Sequence, residues 1–193
     1  MYSSEEKRNF FNKLKNSTVS IDNTYNTGNK YITVYNRNFS DGRKYQFIER
    51  FGRDSLAFVL YDENKENKFG VLNQYHPPLN KYVCGAFTGS LDKNKGLINI
   101  LLDEIKEESG YIIPKNDLYQ RIYSISKQPV SSQTNEQVNL YLIDVTNLIQ
   151  GKKFPDSDFE KFSYIKWVSI NYILTKCEWK ARLITSQYLI GKK

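Results

Sequence analysis

Apolar side chains recur at helical spacing between residues 97 and 105. Placed at about 100° per residue, Leu97, Ile98, Leu101, Leu102 and Ile105 fall in one arc of roughly 140°. The helix is expected to start near Gly96 and to end at Gly110, since glycine suits the position just past a helix end. Elsewhere the period is two. YITVYNR (31–37) and KYQFIERF (44–51), joined through Ser40-Asp41-Gly42, predict a hairpin. DSLAFVLYD (54–62) is a continuous apolar run, hence a buried strand. FGVLNQY (69–75) is a strand stopped by Pro77-Pro78. YVCGAF (82–87), DLYQRIYSIS (117–126), VNLYLIDVT (138–146) and FSYIKWVSI (162–170) read as further strands. Residues 4–15 read as a short helix capped by Ser4, residues 16–29 and 127–137 as polar loops. Asn171 to Ile190 reads as one helix, with Trp179, Leu183, Ile184 and Ile190 as its apolar contacts. Many strands around one central and one terminal helix imply an α+β fold, a sandwich built on a mixed sheet.

Composition narrows the class. The 193 residues suit one domain with an appended terminal segment, and 39% apolar with 25% charged residues is enough for a globular core. We divide the chain at residue 30, with an N-terminal helix and linker before it and the main domain, 30–193, after it. No apolar run approaches the roughly 18 residues that a membrane span needs. The start, MYSSEEKRNFF, has no apolar signal core, so the expected location is the cytoplasm. Cys84 and Cys177 lie far apart and read as free thiols. The single histidine excludes a His-rich metal site and argues against a serine triad. The net charge of +7 favours anionic partners, but it is scattered. A small phosphorylated substrate therefore suits the chain at least as well as long nucleic acid.

Candidate chemistry sits on the central helix. Glu104, Glu107 and Glu108 share one face because i, i+3 and i+4 positions do. Three carboxylates there repel one another and oppose the dipole at a helix C-terminus. A hard divalent cation with oxygen ligands relieves both costs. The other reading is a solvated acidic face.

The stretch Gly89–Tyr111 resembles the Nudix box, G-x5-E-x7-R-E-U-x-E-E-x-G-U with U bulky and apolar: Gly89, Glu104, Ile105, Glu107, Glu108, Gly110 and Tyr111 stand in register. Two positions depart, Lys95 where the box has Glu and Asp103 where it has Arg. Both changes reverse sign, so a Lys95–Asp103 pair would keep the attraction that orients the first metal-binding Glu. The resemblance implies a Nudix fold, an α/β/α sandwich, with Glu104, Glu107 and Glu108 as ligands of Mg²⁺ or Mn²⁺.

Around the box, the chain is similar to the ADP-ribose pyrophosphatase branch, through SDGRKYQFIERF and Gln74-Tyr75-His76-Pro77-Pro78. That likeness implies a small nucleotide substrate and adenine stacking between Tyr31 and Tyr45. It also implies an Arg50 contact to the phosphate–ribose portion, and a phosphate contact at His76, which replaces the branch's Arg. Gly89 is counted with the substrate-binding residues. Glu136 would orient or deprotonate the attacking water. The 30–51 hairpin would complete the adenine site of a partner in a homodimer. One ligand is missing, because Gly85 stands where the branch has Glu in E-x-P-A-G. The expected function is hydrolysis of ADP-ribose or a related nucleoside diphosphate sugar. The rival is a catalytically impaired nucleotide sensor or assembly subunit. A protein acting on RNA or its cap ranks below both, since only the net charge favours it, and no membrane partner is expected.

Overall fold

The computed structural model describes residues 3, 5–6, 8–9, 12, 19–26, 32–50, 54–91, 95–154 and 161–191. They divide into two compact units, residues 1–53 with 129–136, and residues 54–128 with 137–193.

In the first unit, Glu5, Glu6, Arg8, Asn9 and Asn12 are helical. The cap is one residue earlier than expected. Glu6 N–H donates to Ser3 Oγ at 3.2 Å, and Ser3 N–H donates to Glu6 Oε2 at 2.6 Å, a reciprocal capping box. Strands β2 (Ile32–Phe39) and β3 (Lys44–Arg50) form the expected antiparallel hairpin, and the φ of +86° at Gly42 explains the glycine in its turn. The stretch 16–29, read as loop, contains a strand instead. This is β1 (Val19–Asn26), paired antiparallel to β2 with an irregularity between Asn23 and Tyr25. Its polar residues hid it, because pairing at a sheet edge satisfies the backbone whatever the side chains. The 130–136 segment lies along β3. Ile48 N–H donates to Gln133 O at 2.8 Å, and Asn135 N–H donates to Ile48 O at 3.4 Å.

The second unit is a mixed seven-stranded sheet with helices on both faces. Strand β4 (Ser55–Tyr61) lies at its centre, antiparallel to β5 (Phe69–His76) and parallel to β9 (Gln137–Asp144). Strand β6 (Lys81–Gly85) pairs with β5, and β7 (Phe87–Ser90) with β4, so the single expected strand at 82–87 is two strands parted at Ala86. β8 (Ile122–Pro129) and β10 (Tyr164–Val168) close the two sides. The strand expected from 117 begins late, because α2 (Leu118–Arg121) precedes it.

Every residue of β4 is buried. Successive strand side chains point to opposite faces. Leu56, Phe58 and Leu60 pack with Ile100, Leu101 and Ile105 of the central helix. Tyr61 turns to the other face and meets Tyr188, ring centroids 5.6 Å apart. The terminal helix expected over 171–190 is two helices, α3 (Ile170–Lys176) and α4 (Trp179–Gly191). In α4, Ala181, Ile184, Thr185 and Tyr188 are buried, while Trp179 and Ile190 are exposed. The break at Cys177-Glu178 shifts the inward face away from the one a continuous wheel assigns.

Cys84 and Cys177 are free and buried, yet not apart. The Cys177 thiol's hydrogen bond, then nearby Lys166 and the Tyr172 hydroxyl, lower the Cys84 pKa from 9.0 to about 7, while the same contact and burial push Cys177 up. No helix of the described residues is long and apolar enough to cross a membrane.

The central helix α1 (Leu97–Glu104) runs on as a wider π turn over Ile105–Ser109 and stops at Gly110, φ +79°. A Cβ at Gly110 would lie 2.5 Å from the Gly151 carbonyl oxygen. Left-handed φ and lack of space both require glycine. Gly110→Ala should therefore lower unfolding free energy by about 1–3 kcal/mol in denaturant titration. A change within about 0.5 kcal/mol would show that the 110–151 contact relaxes freely.

Candidate active site

The end of α1 is held by the loop that follows β9. A helix terminus leaves its last carbonyls without intrahelical partners. Here Phe154 N–H donates to Glu107 O at 2.9 Å, Gly151 N–H to Gly110 O at 2.9 Å, and Gln150 Nε2 to Ser109 O at 3.0 Å. The Lys106 ammonium lies 5.5 Å from the centre of the Phe154 ring. These contacts fix the π turn that carries Glu107 and Glu108. A π turn changes the angular step between residues, so the three carboxylates no longer keep the spacing of an α-helical wheel. Such turns are common at functional sites.

Strand β7 receives two of those carboxylates. A Cβ built on Gly89 would stand 2.5 Å from both Cγ and Cδ of Glu104 and 2.9 Å from its Oε1. Any side chain at 89 would force Glu104 to shift. One residue earlier, Thr88 N–H donates to Glu108 Oε2 at 3.2 Å. Gly89, Glu104 and Glu108 thus come together on two residues of strand. Among the described residues, no group of three His, Cys, Asp or Glu side chains is close enough to hold a metal ion. The donors themselves are right for a hard divalent cation, being oxygen anions on neighbouring turns, two of them laid on one strand.

Lys95 and Asp103 meet as the box positions lead one to expect. Lys95 Nζ is 2.6 Å from Asp103 Oδ2. The residue beside Glu104 therefore has its charge compensated. Both side chains are substantially exposed, at 54% and 36%, so the pair adds no more than about 1 kcal/mol.

His76 ends β5 and is exposed. It lines a cleft of about 300 Å³ with Gln74, Thr88, Glu178 and Lys180. Sequence reasoning missed Glu178, since no Gly or Pro marks the break between α3 and α4 that presents it.

The remaining assigned residues belong to the first unit, except that Tyr31 lies outside the described residues. The Tyr45 hydroxyl donates to Ser132 O. Tyr45 also lines a second cleft, of about 250 Å³, with Arg37, Phe39, Phe47 and Asn135. Glu136 is 12% exposed and sits 3.8 Å from Arg50 Nη1, an ion-pair distance but longer than a hydrogen bond.

No family model and no curated protein matches the chain. A solved structure described as an ADP compounds hydrolase does, with a TM-score of 0.67 over 91% of this chain and 92% of that one, at 16% identity. The chain has a Nudix-like fold. Identity that low carries fold and not activity.

The Lys95–Asp103 pair can be tested for coupling. Lys95→Glu should lower stability by up to about 1 kcal/mol in denaturant titration, because it sets two acids together. Adding Asp103→Arg should recover it by restoring an attractive pair. Additive losses would show that the two positions do not communicate.

Proposed function

We propose that the chain is a Nudix-type hydrolase. Its reaction would split the diphosphate of ADP-ribose or a related nucleoside diphosphate sugar into a nucleoside monophosphate and a sugar phosphate. The observation that carries this reading is the placement of Glu104 and Glu108 on the Thr88–Gly89 stretch of strand, within a Nudix-like fold. The neighbour's description as an ADP compounds hydrolase and the net charge of +7 support an anionic nucleotide substrate.

In this reading Glu104, Glu107 and Glu108 hold Mg²⁺ or Mn²⁺. A cation so bound supplies charge neutralisation on the diphosphate and a more acidic water. Gly89 lets Glu104 lie against the strand, and Thr88 N–H fixes one oxygen of Glu108. His76 and Lys180 bring N–H donors for phosphate oxygens into the adjoining cleft. The roles that the resemblance implies for Tyr31, Tyr45, Arg50 and Glu136 belong to the same proposal.

A second reading is a nucleotide sensor. It is favoured by the changes at Gly85, Lys95, Asp103 and His76.

Purified protein with Mg²⁺ or Mn²⁺, offered ADP-ribose, NAD, nucleotide sugars, dinucleoside polyphosphates and capped RNA, separates the readings. Turnover should be highest on a nucleoside diphosphate sugar. Glu108→Gln should reduce it by about 10²-fold or more without loss of fold, since it removes charge and keeps shape. Binding of ADP-ribose without turnover of any compound would establish the sensor instead. A homodimer built on the 30–51 hairpin is part of the hydrolase proposal. Light scattering at micromolar concentration should give twice the 22.7 kDa chain mass, and a monomer would remove the shared adenine site.

A further inference from the structure

Gly85 has no conformational need to be glycine. Among the described residues, positive φ occurs only at Gly42, Asn80, Gly110 and Asn147. What forbids a side chain at 85 is Glu178. A Cβ there would lie 2.5 Å from Glu178 Cγ and 3.3 Å from its Cδ and Oε1. The strand carries no side chain here, and a carboxylate from the start of α4 fills the space.

That carboxylate bridges two elements. Its Oε1 accepts from Ala181 N–H at 3.2 Å, within α4, and from Ala86 N–H at 3.1 Å, on the strand. Its Oε2 accepts from Lys180 N–H at 3.1 Å. The Glu178 backbone N–H donates to Cys84 O at 3.0 Å. One residue thus grips the strand on both sides of Gly85. Glutamate is not among the favoured helix caps, whose shorter side chains hydrogen-bond their own first turn. An aspartate would serve the helix but lacks the methylene that reaches Ala86. The reach of Glu178 therefore serves the strand.

The strand it grips is the one that carries the proposed site. Ala86 is the gap between β6 and β7, where the ladder is interrupted. Two and three residues on, Thr88 N–H meets Glu108 and Gly89 meets Glu104. We infer that Glu178 is a positioning residue, which locks the β6–β7 corner to α4 and so sets the strand on which Glu104 and Glu108 are seated. The carboxylate absent from the strand at 85 is replaced in space by one 93 residues later in the chain, to a different end.

The kinetic arm of the test rests on the hydrolase reading; the structural arm does not. Glu178→Asp keeps the cap of α4 and withdraws the reach to Ala86. Amide exchange at Ala86 and Thr88 should quicken by about tenfold, the loss of one hydrogen bond, while α4 amides keep their protection. With Mn²⁺ and the panel compound that is turned over fastest, kcat should fall at least about tenfold with KM little changed, as for loss of transition-state geometry. Gly85→Ala should produce the same exchange and kinetic defects in the wild type and add little to Glu178→Asp, because both free the same corner. Wild-type exchange at Ala86 and Thr88 in Glu178→Asp, or fully additive defects, would overturn the inference. Should no substrate be turned over, the hydrolase reading fails, and the exchange measurement still decides the role of Glu178.

Discussion

The contact between Gly89 and Glu104 constrains the whole site. A carboxylate side chain occupies the volume that a Cβ would need. The contact demands glycine on the strand, a helix close enough to touch it, and a helix end held rigidly. The core supplies the closeness, through Leu56, Phe58 and Leu60 against Ile100, Leu101 and Ile105. The 150–154 segment supplies the rigidity by satisfying the carbonyls of the π turn. Helix, strand and loop thus depend on one close approach, and the substitution that most directly breaks it is any side chain at 89.

Charge is arranged around the same contact. Asp103, Glu104, Glu107 and Glu108 crowd the last turns of a helix, where the dipole already disfavours anions. Each carboxylate with a described partner is held by a different device. Asp103 pairs with Lys95, and Glu108 takes a backbone N–H. Inverting both members of the 95–103 pair keeps an attraction at constant net charge, where changing one alone would set like charges together.

Much of this was legible in the sequence. The apolar stripe of α1, the buried run of β4 and the left-handed glycine at 110 each encode one local demand, and local demands leave local signals. Other features came from tertiary structure and left none. The π turn has no composition of its own. The break at Cys177-Glu178 lacks Gly or Pro, so periodicity read straight through it. Cys84 and Cys177 looked remote because distance along a chain says nothing of distance across a sheet. Strand β1 is too polar to read as a strand, and α2 begins inside an apolar run that suited either state.

A likeness of fold at 16% identity follows from how little of a sequence a fold needs. Mixed sheet and flanking helices require apolar residues at the right period, and many sequences satisfy that. A site needs particular atoms in particular places, yet those atoms need not come from particular positions. Gly85 and Glu178 make the point physically. The strand carries no side chain at Gly85, and the space beside it is filled by Glu178, from a distant part of the chain. A side chain at 85 would meet Glu178, so one of the two must shift. The residue at such a corner is therefore coupled to one far along the chain, and the two cannot be read one position at a time.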